Sequence, residues 1–187
     1  MIVKSENGSG EEQIEKAELS YPLVVKPLES CGSPETHLMG LVFHGEGLRA
    51  FTAPYLAQEY FNHNSVVYKV FVVGRFFSQV PRSSLRNFVC AEESGNFMFD
   101  SQGINQNLDQ SQMDQHTPPS EELLRGLVGR IGELLRLTIY GFDIIQNSAT
   151  GLWSIIDINF FPGFSGCVSE HHHWLLETAV ERIQKRD

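Results

Sequence analysis

Short runs of β-branched and aromatic residues, separated by turn-forming residues, recur along the chain and predict β-strands. These runs lie at residues 21–27, 37–43, 55–61, 66–74, 75–80, 140–145 and 154–163, with a further short candidate at 97–99. The glycine turn at Gly74 predicts a hairpin between the two runs that flank it. The loop 147–151, rich in Asn, Ser, Thr and Gly, likewise favours antiparallel pairing of the last two runs.

A long amphipathic helix is predicted to follow the two prolines at 118–119. Ser120 is the expected N-cap, and Glu121 and Glu122 complement the helix dipole. Apolar residues then recur at helical spacing, namely Leu123, Leu124, Leu127, Val128, Ile131, Leu134 and Leu135. Because they share one face, this helix is expected to cover a sheet. A final helix is predicted from Ser169 to Lys185, and the polar stretch 92–119 predicts an irregular surface loop.

Composition narrows the class of protein. The chain has 187 residues and 41% hydrophobic content, enough for one domain or two small lobes with a sizeable core. A net charge of -9 argues against nucleic-acid binding but allows a small anionic ligand in a basic cleft. Three widely spaced cysteines indicate free thiols in a reducing compartment, and no run is apolar enough to span a bilayer. We therefore expect a cytoplasmic protein, with the nucleus also possible, that is a monomer and has no membrane partner.

Two carboxylates lie inside the last two apolar runs. Neither run around Asp143 or Asp157 contains a Lys or Arg, and a buried carboxylate without a compensating charge is costly. Asn159 lies two residues after Asp157 and so points to the same face of the strand. These three oxygen ligands suit Mg²⁺, which binds through few protein ligands and keeps waters and substrate phosphates. The alternative is that an Asp caps a turn or pairs with a distant base.

Basic side chains offer a possible anion site. Lys69 lies within an apolar strand, where its ammonium group either binds phosphate or pairs with an acid or reaches solvent from an edge strand. Arg82 and Arg86 flank Ser83 and Ser84, a combination that suits phosphate but equally an ordinary solvated loop.

Five segments in the same order resemble the inositol 1,3,4-trisphosphate 5/6-kinases, also called inositol-tetrakisphosphate 1-kinases. The segments are Tyr21–Pro27, Gln58–Asn64, Tyr68–Gly74, Gly141–Ile145 and Ile156–Gly163. The resemblance implies an α+β ATP-grasp fold, with two lobes of mainly antiparallel sheet covered by helices and a nucleotide cleft between them. The implied organisation is a flexible N-terminal arm over residues 1–18, a small lobe over 19–65 and a large lobe with the metal site over 66–187.

The resemblance also implies a role for individual residues. Those expected to contact ATP are Lys26, Gln58, Glu59, Tyr60, Phe61, Lys69, Ser84 and Ser101. Those expected to face the inositol phosphate are His37, Lys69, Arg82, Asn159 and Gly163. The implied Mg²⁺ ligands are Asp143, Asp157 and Asn159, in agreement with the assignment made from the residues alone. Lys69, Arg82 and Asp157 are the expected catalytic residues.

The implied reaction is transfer of the γ-phosphoryl group of ATP to a hydroxyl of an inositol tris- or tetrakisphosphate, without a covalent intermediate. Family members carry an N-terminal domain before the strand that ends near Lys26, whereas about 18 residues precede that strand here. We therefore expect the ATP-grasp portion alone, with a nearly complete nucleotide site and an incomplete inositol phosphate site. Two alternatives remain: an ATP-grasp ligase that activates a carboxylate, and a truncated relative that binds nucleotide without transfer.

Overall fold

The computed structural model describes residues 1–28, 37–89, 93, 95–104, 116–163 and 171–184. The chain divides into two compact units, the first comprising residues 1–64 and 85–106 and the second residues 65–84 and 107–187. Each unit contains one sheet, and every strand pair in both sheets is antiparallel. The predicted α+β class with two antiparallel sheets is confirmed.

The first unit contains a five-stranded sheet. Numbered in chain order, its strands are β1 (Ile2–Val3), β2 (Leu23–Pro27), β3 (Leu38–Val42), β4 (Tyr55–Glu59) and β7 (Phe97–Asp100), arranged β1-β4-β2-β3-β7. Its helices are α1 (Gly10–Lys16) and α2 (Ser101–Ile104), with 3₁₀ turns at Ser5–Asn7 and Gly45–Ala50. Successive side chains of β2 point to opposite faces of the sheet, and each face has its own core cluster. Leu23 and Val25 pack with Ile14 on one face. Val24 packs against Leu41 and its cluster on the other face.

The expectation of a flexible N-terminal arm over residues 1–18 is wrong. Strand β1 pairs with β4, so that Val3 lies opposite Tyr55, and Ile14 of α1 is only 2% exposed. Ser9 and Glu12 form a capping box that begins α1. The apolar residues that anchor this segment are too few and too widely spaced to give a periodic signal among its charged residues.

The predicted boundary between the lobes also differs from the structure. Residues 85–106 were expected in the second lobe but belong to the first unit, because β7 pairs with β3 and because Leu85 and Phe88 join its core. The chain therefore leaves the first unit near Asn64 and returns to it after Ser84. Much of the predicted irregular stretch 92–119 lies outside the described residues, and the part that is described contains β7 and α2.

The second unit contains a four-stranded sheet. Its strands are β5 (Val66–Val73), β6 (Phe76–Ser83), β8 (Ile139–Gln146) and β9 (Trp153–Phe160), arranged β6-β5-β8-β9. Its helices are α3 (Glu121–Leu135) and α4 (His171–Gln184). The predicted hairpin around Gly74 and the predicted pairing of the last two strands are confirmed. The predicted cap of the final helix, Ser169, and its predicted end, Lys185, lie outside the described residues.

Helix α3 covers one face of this sheet, as predicted. The Ser120 side chain accepts a hydrogen bond from the Leu123 amide at 3.2 Å, and the helix ends at Arg136 in the left-handed conformation. Leu124, Val128 and Ile131 pack against the strand residues that point toward them, which are Val66, Tyr68, Val70, Val72, Tyr140, Phe142 and Ile144. The opposite face of β5 and β8 carries Lys69 and Asp143, beside the buried residues Val67 and Phe71. Among the described helices, none has the length and apolar character needed to cross a bilayer.

Strand β6 extends further than the sequence indicates. Arg82 and Ser83 were expected in a loop after Pro81, but β6 continues to Ser83 and pairs with β5 over its whole length. An edge strand tolerates Pro81 because its missing amide donor can point away from the partner strand. Arg82 is thereby fixed to the sheet opposite Val67 rather than carried on a solvated loop.

Candidate functional site

Lys69, Asp143 and Asp157 form a row across three adjacent strands. Lys69 of β5 lies opposite Asp143 of β8, which in turn lies opposite Asp157 of β9. Directly opposed residues of paired strands point to the same face. This face is the reverse of the one that α3 covers, because the neighbouring residues Val70 and Phe142 belong to the core beneath α3.

Lys69 and Asp143 form an ion pair, with 2.8 Å between Nζ and Oδ2. The two side chains are 27% and 12% exposed, so the pair is largely removed from solvent. Asp157, by contrast, is exposed. Contrary to the sequence prediction, the two carboxylates are therefore not both buried and uncompensated: Lys69 neutralises Asp143, and Asp157 has access to water. The alternative in which Lys69 pairs with an acid is the one that the structure supports.

Asn159 extends the row along β9. Its Nδ2 donates a hydrogen bond to Oδ2 of Asp157 at 2.8 Å, and it lies opposite Gly141 of β8. The register of β8 and β9 shifts between Asp143 and Ile144, a bulge that places an extra residue in β9 next to Asp157. Bulges of this kind re-aim side chains and are common beside active sites. Here the bulge lies at the two carboxylates.

The donor set of this row fits a divalent cation that prefers oxygen. Two carboxylates and one side-chain amide lie on neighbouring strands, and Mg²⁺ commonly uses one or two carboxylates and completes its shell with water and phosphate. No group of three or more His, Cys, Asp or Glu residues that could hold a metal occurs in the described part of the chain. The predicted ligand set of Asp143, Asp157 and Asn159 has two carboxylates, and it stays a prediction.

Gly141 was not singled out by the sequence patterns, yet the geometry requires it. A Cβ atom at this position would lie 3.1 Å from the Val70 carbonyl oxygen and 3.2 Å from Cβ and Cγ of Pro162. Pro162 belongs to the turn after β9, which begins with Phe161 at a φ of 53°. A side chain at Gly141 would thus displace the turn that leads from Asn159 to Gly163.

We expect Gly141→Ala to lower the free energy of unfolding by about 1–3 kcal/mol, because neither the Val70 carbonyl nor Pro162 can yield without moving backbone. Gly126→Ala is the matched control. Gly126 is exposed in α3, and a Cβ atom there would have open space around it, so the same change should raise the free energy of unfolding by about 0.5–1 kcal/mol. Urea unfolding of both variants measures the difference, and equal effects would contradict the assigned role of Gly141.

Arg82 shares the face of Lys69. It lies opposite Val67, which is two residues from Lys69 on β5, and it is buried. Ser84 follows β6 and its amide donates to the Ser65 carbonyl at 2.7 Å. The second unit therefore brings together Lys69, Arg82, Asp143, Asp157 and Asn159 on one side of its sheet, whereas Gly163 is exposed beyond the end of β9.

In the first unit, Lys26 and Gln58 share a face. Lys26 lies two residues from Val24 on β2, and Gln58 of β4 lies opposite Val24. His37 and Ser101 adjoin the paired residues Leu38 and Asp100, so they lie at one end of β3 and β7. Ser101 is the first residue of α2 and not part of a loop.

The segment Gln58 to Phe61, which is expected to contact ATP, is held by hydrogen bonds within the first unit. The Tyr60 amide donates to the Pro22 carbonyl at 2.8 Å, and the Tyr60 hydroxyl donates to the Arg86 carbonyl at 2.8 Å. Glu59 accepts from the Ser20 amide at 2.7 Å. These bonds fix the path of the chain as it leaves β4.

His63 supports the end of the same segment. Its Nδ1 donates to the Phe61 carbonyl at 2.9 Å, and its ring packs edge-on against Tyr60. Burial lowers the pKa of His63, and the hydrogen bond to Phe61 only partly offsets that effect. The ring is therefore favoured as a neutral donor that holds the Phe61 carbonyl in place.

A groove of about 740 Å³ lies elsewhere on the second unit. It is lined by residues of α3, α4 and the β5–β6 hairpin, including Arg75, Phe77 and Arg125, and by none of the predicted site residues. Arg75 is paired there with Glu177 and Glu181. The chemistry of the Lys69 row, not the size of this groove, identifies the candidate site.

Comparisons with known proteins point to one family. Residues 1–181 match the family model described as the inositol 1,3,4-trisphosphate 5/6-kinase ATP-grasp domain. The chain is 34% identical over 182 residues to inositol-tetrakisphosphate 1-kinase of Xenopus laevis, covering 93% of this chain and 46% of that protein. It is 34% identical over 175 residues to inositol-tetrakisphosphate 1-kinase of Danio rerio, covering 89% and 44% respectively. The chain thus spans about half the length of the curated relatives it matches.

A solved structure supports the fold alone. The macrocyclase MdnC bound with precursor peptide MdnA, from Microcystis aeruginosa MRC, is similar with a TM-score of 0.50 and 12% identity, covering 100% of this chain and 55% of that one. The family match, in contrast, extends through both units and includes every strand described above. The chain therefore belongs to the inositol 1,3,4-trisphosphate 5/6-kinase family, and its fold is the ATP-grasp fold that the sequence predicts.

Proposed function

We propose that this chain binds ATP together with Mg²⁺ and transfers the γ-phosphoryl group to a hydroxyl of an inositol tris- or tetrakisphosphate. The observation that carries the proposal is the row of Lys69, Asp143 and Asp157, extended by Asn159, on the sheet face that α3 does not cover, in a member of this family. A kinase of this type needs a metal, cationic side chains for the phosphates and little covalent chemistry from the protein.

The metal would be held by Asp143, Asp157 and Asn159. When bound, Mg²⁺ would neutralise charge on the transferring phosphoryl group and orient the phosphates. Asp157 is exposed and so can exchange water for an ion, while its direct pairing with Asp143 places the two residues on the same face. The matching register of these residues supports the assignment.

Each unit, taken by itself, contains residues that we propose contact the nucleotide. We propose that Lys26 and Lys69 bind its phosphates, since an ammonium group on a sheet provides a fixed positive charge for an oxyanion. The segment from Gln58 to Phe61, including Glu59 and Tyr60, would form a hinge for the adenine, with backbone hydrogen bonds from Gln58 and Phe61. Ser84 and Ser101 would be further contacts. The hydrogen bonds that fix Glu59, Tyr60 and Phe61 support a rigid hinge, because a preorganised backbone loses little freedom on binding.

The inositol phosphate would contact His37, Arg82, Asn159 and Gly163. Arg82 is the strongest candidate among them, because a guanidinium group can bind two phosphate oxygens and β6 fixes its position beside Lys69. Catalysis would then arise from alignment of the acceptor hydroxyl and neutralisation of phosphate charge, as is usual for a loose phosphoryl-transfer transition state.

Incubation with Mg²⁺, ATP and a panel of inositol tris- and tetrakisphosphates tests the proposal, with products separated by anion-exchange chromatography. We expect an inositol phosphate with one more phosphate and an equal amount of ADP. ADP release that requires a carboxylate and an amine would instead indicate a ligase. Thermal stabilisation by Mg-ATP without any product would indicate a protein that only binds nucleotide.

A further inference from the structure

Both carboxylates of the candidate metal site are already capped by nitrogen donors of the chain itself. Lys69 Nζ lies 2.8 Å from Oδ2 of Asp143, and Asn159 Nδ2 donates to Oδ2 of Asp157 at 2.8 Å. Asn159 therefore presents its amide nitrogen, not its oxygen, to the carboxylate beside it. A cation that binds Oδ2 of either carboxylate competes with these donors, and Asn159 offers Oδ1 to the ion only by turning its amide.

Lys69 is the stronger competitor. An ammonium group and a divalent cation at the same carboxylate repel each other, and the low exposure of the pair weakens screening by solvent. If the ion takes Asp143, the ammonium group needs another anion, because an unpaired charge at a largely buried position is unfavourable.

Within the described strands, the neighbours of Lys69 on this face do not provide that anion. Val67 and Phe71 flank Lys69 on β5, and Val80 lies opposite it on β6. All three side chains are apolar. Asp157 is separated from Lys69 by β8 and is itself a proposed ligand of the ion. A polyphosphate bound over the sheet would supply the missing negative charge.

We propose that Lys69 is the resident counter-ion of Asp143 and exchanges places with the divalent cation when a nucleoside triphosphate arrives to accept its ammonium group. Metal and nucleotide then bind with positive coupling, and the metal alone binds weakly. The inference rests on the proposed function and adds to it a reason why the two ligands enter together. Lys69 acts on the metal site as a positioning residue through Asp143.

Titration with Mn²⁺, followed by the electron paramagnetic resonance signal of the free ion, tests the exchange in the presence and absence of a non-hydrolysable ATP analogue. For Lys69→Gln we expect Mn²⁺ without nucleotide to bind about tenfold tighter than to the unsubstituted chain, within the usual range of coupling between sites. The analogue should strengthen Mn²⁺ binding to the unsubstituted chain but scarcely change it in Lys69→Gln. A role limited to phosphate binding would leave the affinity for Mn²⁺ alone unchanged, and that result would overturn the proposal.

Two further variants test the exchange even if Lys69→Gln does not fold. Lys69→Arg keeps the charge and can bind the carboxylate through two donors, so Mn²⁺ alone should bind more weakly than to the unsubstituted chain. Arg75→Gln removes a different cation, paired with Glu177 and Glu181, and should leave Mn²⁺ binding unchanged. If Lys69→Arg binds Mn²⁺ alone as tightly as the unsubstituted chain, the exchange is wrong.

The same titrations separate this inference from the proposed function. An unsubstituted chain that binds neither Mn²⁺ nor the analogue would overturn both. An unsubstituted chain that binds both, with no change in the affinity for Mn²⁺ alone in either Lys69 variant, would overturn only the exchange.

Discussion

Asp157→Asn is expected to lower the rate of metal-dependent phosphoryl transfer by at least about 100-fold, while the melting temperature stays close to that of the unsubstituted chain. Neutralisation of phosphate charge by a metal is worth several kcal/mol, and each 1.4 kcal/mol or so corresponds to a factor of ten. The fold should persist because Asp157 is exposed on edge strand β9 and asparagine can still accept the hydrogen bond from Asn159.

Initial rates at saturating ATP over a range of Mg²⁺ concentrations measure this effect. Glu133→Gln is a suitable control, since it also removes one carboxylate charge but lies on α3, where it pairs with Arg130 at 3.7 Å. The control should retain the full rate. An Asp157→Asn variant as active as the control at every Mg²⁺ concentration would remove Asp157 from the metal site.

Phe142→Ala, one position before Asp143, is expected to lower the free energy of unfolding by about 3–5 kcal/mol. Phe142 is 1% exposed and belongs to the cluster in which Leu124 and Val128 of α3 pack on the sheet. Truncation removes its apolar area from the core and leaves a cavity that the antiparallel strands on either side cannot close. Two successive residues of β8 thus have different roles: Phe142 stabilises the core, and Asp143 is proposed to bind the ion.

Urea unfolding followed by tryptophan fluorescence gives the size of this loss, since Trp153 and Trp174 both belong to the second unit. Phe160→Ala is the matched control. Phe160 lies on the adjacent strand β9 but is 73% exposed, so its removal should change the free energy of unfolding by less than about 0.5 kcal/mol. Similar losses at the two phenylalanines would contradict the assignment of the core to the α3 face.

Strong local patterns predicted most of the fold. The apolar stripe and Ser120 cap located α3, and the turn residues between the last two strands predicted the hairpin that places Asp143 opposite Asp157. Both features depend on residues close in sequence, where periodicity and turn chemistry carry the information.

Features that depend on contacts between residues far apart in the sequence were not predicted, or were predicted only in part. Lys69 and Asp143 are 74 residues apart, so no local pattern could show that one neutralises the other. The return of residues 85–106 to the first unit depends in the same way on the pairing of β7 with β3. At the N-terminus, Val3 and Ile14 are core residues in a segment whose charges dominate its composition. Gly141 matters only because Pro162 folds against it, a contact that requires the register of β8 and β9.

The proposed metal site is the centre of the account, and calorimetric titration of the unsubstituted chain with ATP, in Mg²⁺ and then in EDTA, tests it most directly. We expect ATP to bind at least about tenfold more tightly in Mg²⁺, because the ion would join the phosphates to Asp143 and Asp157. Equal affinity under the two conditions, or no binding in either, would contradict the account.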